Sequence, residues 1–393
     1  MTKADREGQR KAPILRFKGF TDDWEQRKLG DIFSKIRNAF VGKVTDYYVD
    51  RGFIYLESNN IKNGGINLNT KKYINNEFYY QQKEKWLHTN DIVMVQSGDV
   101  GQTAVIPSNL NNTAAHALIM FQEIDSNINP YFLNYQFQSY RCIKQIQIIS
   151  KGNTVKHVLA SDMKEFTVFL ASLKEQINVA DFLNKLNRII DLYEMKKQLL
   201  TQLKQGIVNF LITKNGQKPQ LRFIGFNNNW ESKSFEKLLN YEQPTKYIVK
   251  KADYISQGTP VLTANKSFIL GYTNETNVYQ SIPAIIFDDF TLESKYVDFP
   301  FMVKSSAIKI LTSKNSNLFF IYQLLNNQKF VQEGHSRHYI SVVQKKKVLV
   351  PSIQEQNKIG NLIKQLENSI EQNSNTITLL KRLKEFLLQN MFL

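Results

Sequence analysis

The sequence predicts an α+β fold, in which two mixed α/β domains are separated by two long antiparallel helices that form a coiled coil, with a pseudo-two-fold internal repeat. Three observations lead to this prediction. One aromatic opening motif occurs twice, each copy continues as short β-prone runs, and each copy ends in a long helical pattern. Because a repeated sequence folds as a repeated frame, the two halves should share their architecture.

The opening motif Pro-x-Leu-Arg-Phe-x-Gly-Phe-x3-Trp-Glu begins at Pro13 and again at Pro219, a spacing of 206 residues. The long helical patterns begin at Ser172 and Ser352, a spacing of 180 residues. The second body is therefore shorter than the first by the difference, 26 residues. We interpret the aromatic residues of the motif as packing each opening onto its body, rather than as binding residues.

Each body alternates short β-prone runs with turn residues and contains one helical stretch. The first helical stretch lies near residues 131–149 and the second near 318–330. Asn129 and Pro130 are typical of a helix start, with the asparagine as the cap and the proline in the first turn. The predicted strands are 53–56, 92–95, 104–106, 117–121 and 166–170 in the first body, and 284–287, 307–311 and 347–350 in the second.

The two long helical patterns have the clearest periodicity in the chain. Apolar residues recur at alternating steps of three and four, as in a coiled-coil seam, and no proline interrupts either run. Each run opens with a capping box, Ser-x-x-Glu, and about 40 residues predict a rod of roughly 60 Å. The residues predicted to pair the helices are Val179, Phe182, Leu186, Tyr193, Leu200, Leu203, Ile359, Leu362, Leu366, Asn373, Leu380 and Leu383.

The length of 393 residues fits two domains plus connectors, at roughly 100–200 residues per domain. The repeat places the boundaries. The predicted segments are a first domain at 1–171, a first spacer helix at 172–213, a second domain at 214–351 and a second spacer helix at 352–393.

The composition favours a polyanionic partner. The formal net charge is +16, from 51 Lys plus Arg against 35 Asp plus Glu, and such an excess attracts nucleic acid or an acidic surface. Charge alone also fits a basic protein without such a partner. A single cysteine, Cys142, excludes an internal disulfide and a multi-cysteine metal cage. The polar start of the chain and the lack of long apolar runs lead us to expect a cytoplasmic protein with no membrane contact.

Loops that combine hydrogen-bond donors with small or cationic residues are candidates for DNA contact. Asn and Gln can pair with adenine, and Arg and Lys with guanine or phosphate. Each single residue also fits an ordinary solvated loop, but the clusters recur after the body helix in both copies. The candidates are Ser58, Asn59, Asn60, Lys62, Gln96, Ser97, Lys151, Asn153, Thr154, Lys156, His157, Asn265, Lys266, Ser267, His335, Ser336, Arg337, His338 and Tyr339.

Catalytic motifs are absent from the sequence or too weak to support an activity. It contains no Gly-x4-Gly-Lys-Ser/Thr phosphate loop, and its five histidines have no cysteines at metal-site spacing. Asp289 with Glu293 imitates part of a nuclease site, but the two acids are too close in sequence for the usual layout. We therefore expect no catalytic residue, no metal and no cofactor.

Further motifs accompany the duplicated opening. They are Asn90-Asp91-Ile92-Val93 followed by Ser97-Gly98-Asp99-Val100-Gly101, Lys151-Gly152-Asn153-Thr154, and the helix starts Glu175-Gln176 and Glu355-Gln356. Together with the opening, these motifs resemble the specificity subunits of type I restriction-modification systems, over essentially the whole chain. Ala171 stands where the resemblance expects a proline, although Pro351 is present in the second copy.

This resemblance implies a non-catalytic subunit with two target-recognition domains, each of which reads one half of a split site in double-stranded DNA. It also implies that the long helices dock two methyltransferase subunits, and that restriction motor-nuclease subunits join this complex. The methyl donor and ATP would then be bound by the partners.

Two other readings stay open on the sequence. One is an enzyme that cleaves or methylates DNA in its own right, which would require a cofactor-binding fingerprint. The other is a structural coiled-coil adaptor whose bodies bind protein rather than DNA.

Overall fold

The computed structural model describes residues 11–152, 154–212, 219–251, 253–265, 267–330 and 338–393. The chain divides into two compact units. The first unit combines Met1–Leu192 with Thr376–Leu393, and the second is Tyr193–Asn375. Each unit takes part of each long helix, because these helix segments pack onto the bodies and share their cores. The predicted segment boundaries stay a prediction.

The first unit contains two four-stranded sheets. The first sheet is antiparallel throughout, with the order Phe33–Asn38, Leu118–Ile124, Ile92–Val95 and Thr103–Val105. The second has the order Ala114–Ala115, Phe53–Leu56, Lys72–Ile74 and Tyr48–Val49, and its first two strands are parallel. Two further antiparallel pairs join Glu25–Lys28 with Thr167–Leu170 and Ile61–Lys62 with Gly65–Ile66.

The second unit repeats this frame. Its antiparallel sheet has the order Asn240–Glu242, Ile308–Thr312, Ala284–Asp288 and Ser294–Val297, which is the order of the equivalent strands in the first unit. A three-stranded sheet follows, with the order Ile269–Thr273, Thr259–Leu262 and Met302–Val303, and its last two strands are parallel. Glu231–Ser234 pairs with Lys347–Val350.

Helices complete each unit. The short α-helices are Asn76–Gln81, Pro130–Phe137, Tyr140–Ile149 and Ala160–Lys164 in the first unit, and Phe235–Leu238 and Leu318–Asn326 in the second. Single turns of 3-10 helix lie at Leu29–Asp31, Thr45–Tyr47, Ser58–Asn60, Lys83–Lys85, Ser108–Leu110 and Pro244–Tyr247, and a π-helical turn lies at Tyr339–Val343. The long helices are Leu173–Leu211 and Ile353–Asn390.

Strand Ile92–Val95 is buried on both faces because its sequence is apolar at every position. In Ile92–Val95, Ile92 and Met94 join one core cluster, whereas Val93 and Val95 join another on the opposite face. Side chains alternate across a strand, so a continuous apolar run places a core on each side of the sheet. The twin strand Ala284–Asp288 divides its side chains between two clusters in the same way.

The predicted helix at 131–149 is two helices, and this part of the prediction is wrong. Pro130–Phe137 begins as expected, since the Asn129 side chain accepts hydrogen bonds from the backbone N–H groups of Tyr131 and Phe132. The chain then leaves the helix at Gln138, and Ser139 caps Tyr140–Ile149 by accepting a hydrogen bond from the Cys142 N–H. A serine that can cap a new helix allows this break within an apolar pattern of constant period.

The buried stripe of each long helix takes steps of four and then three, whereas the prediction took three and then four. Buried positions run through Val179, Leu183 and Leu186 in the first helix. Both helices carry neighbouring apolar pairs, such as Phe182 with Leu183, so the period alone does not fix the phase. Of the predicted pairing residues, Val179, Leu186, Ile359 and Asn373 are buried, Tyr193, Leu200, Leu362, Leu366 and Leu380 are half-buried, and Phe182, Leu203 and Leu383 are exposed.

In the second unit the two helix segments run antiparallel. Lys204 of the first helix forms an ion pair with Glu367 of the second, with 2.6 Å between Nζ and Oε1. Val208 and Leu211, which come later in the first helix, share a core with Ile363 and Ile359, which come earlier in the second. In the first unit, Leu183, Leu186 and Ile190 share a core with Leu387 and Leu388. Pairing along the whole length of both helices stays a prediction.

A pair of alanine substitutions tests the phase of the first helix. Leu183→Ala should lower the free energy of unfolding of the first unit by about 2–5 kcal/mol, because the leucine side chain is fully buried and its removal leaves a cavity. Phe182→Ala should cost about 1 kcal/mol or less, since this side chain is 39% exposed and its ring packs edge-on against Phe17. Denaturant unfolding measures both. Equal losses would contradict the observed phase.

Candidate DNA interface

A short closed hairpin carries four candidate residues of the first unit, Lys151, Thr154, Lys156 and His157. Lys151 and His157 exchange two backbone hydrogen bonds of 2.8 Å, which close the hairpin. Gly152 has φ +105°, and a Cβ there would lie 2.2 Å from the Val155 carbonyl oxygen, so the loop requires glycine. Lys151, Thr154, Lys156 and His157 are all exposed, and Lys151 also contacts Asp162 at 3.3 Å.

The second candidate loop lies directly beside this hairpin. The Gly98 N–H donates to the Lys156 carbonyl at 3.2 Å, and the Val158 N–H donates to the Gln96 carbonyl at 3.0 Å. Gln96 and Ser97 are half-buried along this edge. Two segments that are 60 residues apart in the sequence, at Ser97 and His157, therefore form one continuous surface.

The third candidate cluster surrounds the Ile61–Ile66 hairpin, which we call the 61–66 hairpin. Lys62 and Asn59 are exposed and Ser58 is half-buried. Asn60 is buried and does not face solvent, which corrects its prediction as a DNA contact. Its side-chain oxygen accepts from the Glu57 N–H, and its amide donates to the Asn67 carbonyl. Asn60 therefore shapes the base of the hairpin, a role that asparagine takes as readily as base recognition.

The 61–66 hairpin is joined to the second candidate loop. Gln102 ends the loop that begins at Gln96, and its side-chain oxygen accepts a hydrogen bond of 2.9 Å from the Asn63 N–H. Gly64 forms a bridge with Ala104 in the next strand. The three clusters that were predicted separately therefore lie on connected segments of one unit.

The second unit retains fewer of its predicted contacts. Asn265 and Ser267 are exposed, and the Asn265 side chain accepts from the Ser267 N–H at 3.2 Å. His338 and Tyr339 are buried, so their prediction as DNA contacts is wrong. Their positions begin the π-helical turn, and Tyr339 packs against Tyr241 and Phe287. Asn153, Lys266, His335, Ser336 and Arg337 lie outside the described residues.

A buried ion pair lies beneath the His338–Tyr339 segment. Lys309 Nζ is 3.3 Å from Asp289 Oδ2, and both side chains are only 2% exposed. Lys309 also donates to the Gln243 side chain and to the Ser306 carbonyl. Asp289 accepts from the Tyr339 N–H at 2.8 Å through its other carboxylate oxygen. The pair thus fixes the start of the turn that follows residues 331–337 in the sequence.

Among the residues that the structure describes, no group of three or more His, Cys, Asp or Glu side chains is placed to hold a metal ion. In the same part of the chain, no helix is long and apolar enough to cross a bilayer.

Two copies of one frame, each with exposed polar loops, match a known family. A family profile described as the type I restriction modification DNA specificity domain matches residues 21–203 and 227–382. The chain belongs to this family. The two matched segments are therefore its two specificity domains, and they coincide with the two copies of the repeat.

Relatives of known type agree with this assignment. Over 123 residues the chain is 50% identical to the EcoR124I/EcoR124II type I restriction enzyme specificity subunit of Escherichia coli, a match that covers 29% of this chain and 30% of that relative. Over 384 residues it is 21% identical to the putative MjaX type I restriction enzyme specificity subunit of Methanocaldococcus jannaschii, which covers 89% of this chain and 88% of that relative.

Solved structures share the fold. The crystal structure of a type I restriction-modification S subunit from M. genitalium superposes with a TM-score of 0.68 at 16% identity, over 97% of this chain and 99% of the other. A second structure, from a study of complex assembly and conformational transition in the type I R-M system, gives a TM-score of 0.52 at 13% identity, over 95% and 98% of the two chains.

The opening motif of each copy is attached to the start of a long helix by residues that the repeat preserves. Arg16 donates from Nε and Nη2 to the two carboxylate oxygens of Glu175, at 2.6 and 2.7 Å. Arg222 makes the same two contacts with Glu355, at 3.0 and 2.7 Å. The carboxylate raises the pKa of each guanidinium. The glutamates of the two predicted capping boxes therefore bind arginine instead of the helix amides.

The glutamines that follow these glutamates hold the body helices. The Gln176 side chain accepts from the Asn129 N–H at 2.9 Å and donates to the Ala171 carbonyl at 2.8 Å. Gln356 makes the matching contacts with Asn317 and Pro351. The sequence analysis interpreted the glutamate of this motif as part of a capping box and the Glu-Gln pair as a mark of the family. Its pairing with arginine could have been found, because Arg16 and Glu175 are both repeated in the second copy.

Proposed function

We propose that this chain is the DNA-recognition subunit of a type I restriction-modification complex and reads a bipartite target in double-stranded DNA. The observation that carries the proposal is that two specificity domains share one strand order but differ in the loops at corresponding positions. A shared frame with different loops suits the reading of two different half-sites. The net charge of +16 supports a polyanionic ligand, and a cytoplasmic location fits this role.

The connected loops of the first unit are the proposed contact surface. Lys62, Lys151 and Lys156 would bind phosphates, which position the protein, while Gln96, Ser97 and Thr154 would face base edges. In the second unit, Asn265 and Ser267 are the exposed candidates. Catalysis would belong to other subunits, so the chain alone should neither cleave nor methylate DNA. Methyl transfer or cleavage by the purified chain would establish the enzymatic alternative instead.

Exposed apolar side chains on the long helices support partner docking. In the first unit Leu192, Leu379 and Phe386 are exposed, and in the second unit Met195, Leu199 and Leu203 are exposed. A contiguous apolar patch that is exposed in the isolated chain is typical of a surface that binds another protein. We propose that these faces bind two methyltransferase subunits, and that restriction motor-nuclease subunits join through them.

The test begins with the target. Mapping methylated adenines in the source genome would give the motif, and binding of the chain with its methyltransferase partner to target and scrambled duplexes would then be measured against salt. The target should bind about 10³-fold tighter or more at physiological salt. Equal affinity for the two duplexes would overturn the proposal and favour the adaptor reading.

A lysine substitution tests the surface itself. Lys156→Ala should weaken binding to target and scrambled duplexes by similar factors and reduce the slope of log affinity against log salt by about 0.9, the loss of one phosphate contact. Lys35→Ala is the matched control. Lys35 pairs with Glu123 near the end of strand Leu118–Ile124 that is opposite to the Gln96 loop, so its removal should leave the slope unchanged. An unchanged slope for Lys156→Ala would exclude this lysine from the interface.

A further inference from the structure

Lys384, in the C-terminal half of the second long helix, contacts the tip of the 61–66 hairpin. Its ammonium donates to the Asn63 carbonyl at 3.4 Å and to the Gln138 side-chain oxygen at 3.2 Å. The same nitrogen lies 5.8 Å from the centre of the Tyr135 ring. Asn63 is 321 residues away in the sequence, so this contact joins the end of the chain to a loop near its beginning.

The hairpin tip is enclosed on this side. The Asn134 amide donates to the Gly64 carbonyl at 2.8 Å. Gly64 has φ +83°, and a Cβ at this position would lie 2.3 Å from Gln138 Nε2. Gln138 therefore packs directly against the backbone of the tip, and Lys384 binds the side chain of that same glutamine. Lys384 thus binds the hairpin backbone directly, and it also binds the Gln138 side chain that packs against the hairpin.

The position of Lys384 is unusual for a surface lysine. Burial lowers the pKa of its ammonium, while the negative charge of Asp191 raises it and the positive charge of Lys381 lowers it. A desolvated ammonium needs oxygen acceptors, and two of those acceptors belong to the hairpin tip and its support. A lysine that only shielded apolar surface would turn its charged end to water.

We propose that Lys384 is a positioning residue for DNA recognition: the second long helix uses it to fix the 61–66 hairpin, and with it Lys62 and the Gln96–Gln102 loop, in the geometry that binds DNA. The DNA half of this proposal rests on the proposed function. The hairpin is connected to the Gln96–Gln102 loop because the Asn63 N–H donates a hydrogen bond to the Gln102 side-chain oxygen. A helix that also carries exposed apolar residues thereby sets the geometry of a candidate DNA-contact loop.

Hydrogen exchange on the full-length chain tests the positioning without any DNA. Lys384→Met removes the charge and the donors but keeps the length of the side chain. Exchange of the amides in residues 61–66 should accelerate by about tenfold or more, the effect of losing a hydrogen bond from a charged group. Lys384→Arg keeps a cation with donors and should restore much of the protection. Arg382→Met is the matched control, because this exposed cation lies on the same helix and its removal changes the net charge equally.

Binding to target and scrambled duplexes, with the methyltransferase partner present, tests the second half. Lys384→Met should reduce the target preference by about tenfold, whereas Arg382→Met should leave that ratio unchanged. Unchanged exchange in the hairpin would overturn the positioning role, whatever the DNA result. Faster exchange with an unchanged preference would overturn the link to DNA recognition. If the unaltered protein shows no target preference, the proposed function fails, and the exchange experiment alone still decides what Lys384 does.

Discussion

Lys309→Met is expected to lower the free energy of unfolding of the second unit by about 3–5 kcal/mol. The substitution leaves the Asp289 carboxylate without its cation in a site where both side chains are only 2% exposed. It also removes donors to the Gln243 side chain and the Ser306 carbonyl. A buried charge without a partner is among the most destabilising local changes, since neither water nor a counter-ion can reach it. Native-state hydrogen exchange in strands Ala284–Asp288 and Ile308–Thr312 would measure the loss.

Two comparisons make this result specific. Lys364→Met is the control in the same unit, because Lys364 pairs with Asp298 at 3.5 Å on the surface and its loss should cost about 1 kcal/mol or less. The double substitution Lys309→Met with Asp289→Asn should recover part of the stability, since it removes the stranded charge while asparagine can still accept from the Tyr339 N–H. A loss for Lys309→Met no larger than for Lys364→Met would contradict the role assigned to the pair.

The frame of the protein could be predicted from the sequence because the repeat preserves the residues that build it. Trp24 and Trp230 are buried, as expected of residues that pack each opening onto its body. The central strands 92–95 and 284–287 were predictable because they are apolar on both faces. The 26 residues that the second body lacks had no predicted location. Four elements of the first unit have no counterpart among the described residues of the second. They are the Tyr48–Val49 strand, the 61–66 hairpin and the helices Asn76–Gln81 and Tyr140–Ile149.

Individual contact residues could be predicted less well, because one residue type serves several roles. Asn60 and Tyr339 have the chemistry of base contacts, but the first bonds its own hairpin and the second fills a core. Lys384 was predictable only as a helix residue, because its acceptors come from Asn63 and Gln138, far away in the sequence. Composition and spacing find loops, whereas the direction of each side chain depends on tertiary contacts.

Glu175→Ala is expected to destabilise the first unit by about 3 kcal/mol, and Glu355→Ala should have a similar but smaller effect on the second. Each change removes the carboxylate to which an arginine makes two charge-assisted hydrogen bonds. Such bidentate pairs are among the strongest side-chain contacts. The side chains of both glutamates are 1% exposed, whereas the side chain of Arg16 is 13% exposed and that of Arg222 is 25%. Because water reaches Arg222 more easily, its stranded charge should cost less.

A comparison of the two glutamate variants distinguishes the loss of an Arg–Glu pair from general damage to a helix start. Hydrogen exchange should show the loss in Glu25–Lys28 and Thr167–Leu170 for Glu175→Ala, and in Glu231–Ser234 and Lys347–Val350 for Glu355→Ala, since these strands connect each opening to the residues before its long helix. Glu165→Ala is the control, because its pair with Lys28 is exposed to solvent and its loss should leave the free energy of unfolding almost unchanged. If both glutamate variants matched this control, the preserved Arg and Glu residues would need another explanation. If only one variant were destabilised, the two copies would not be joined to their helices by the same physical means.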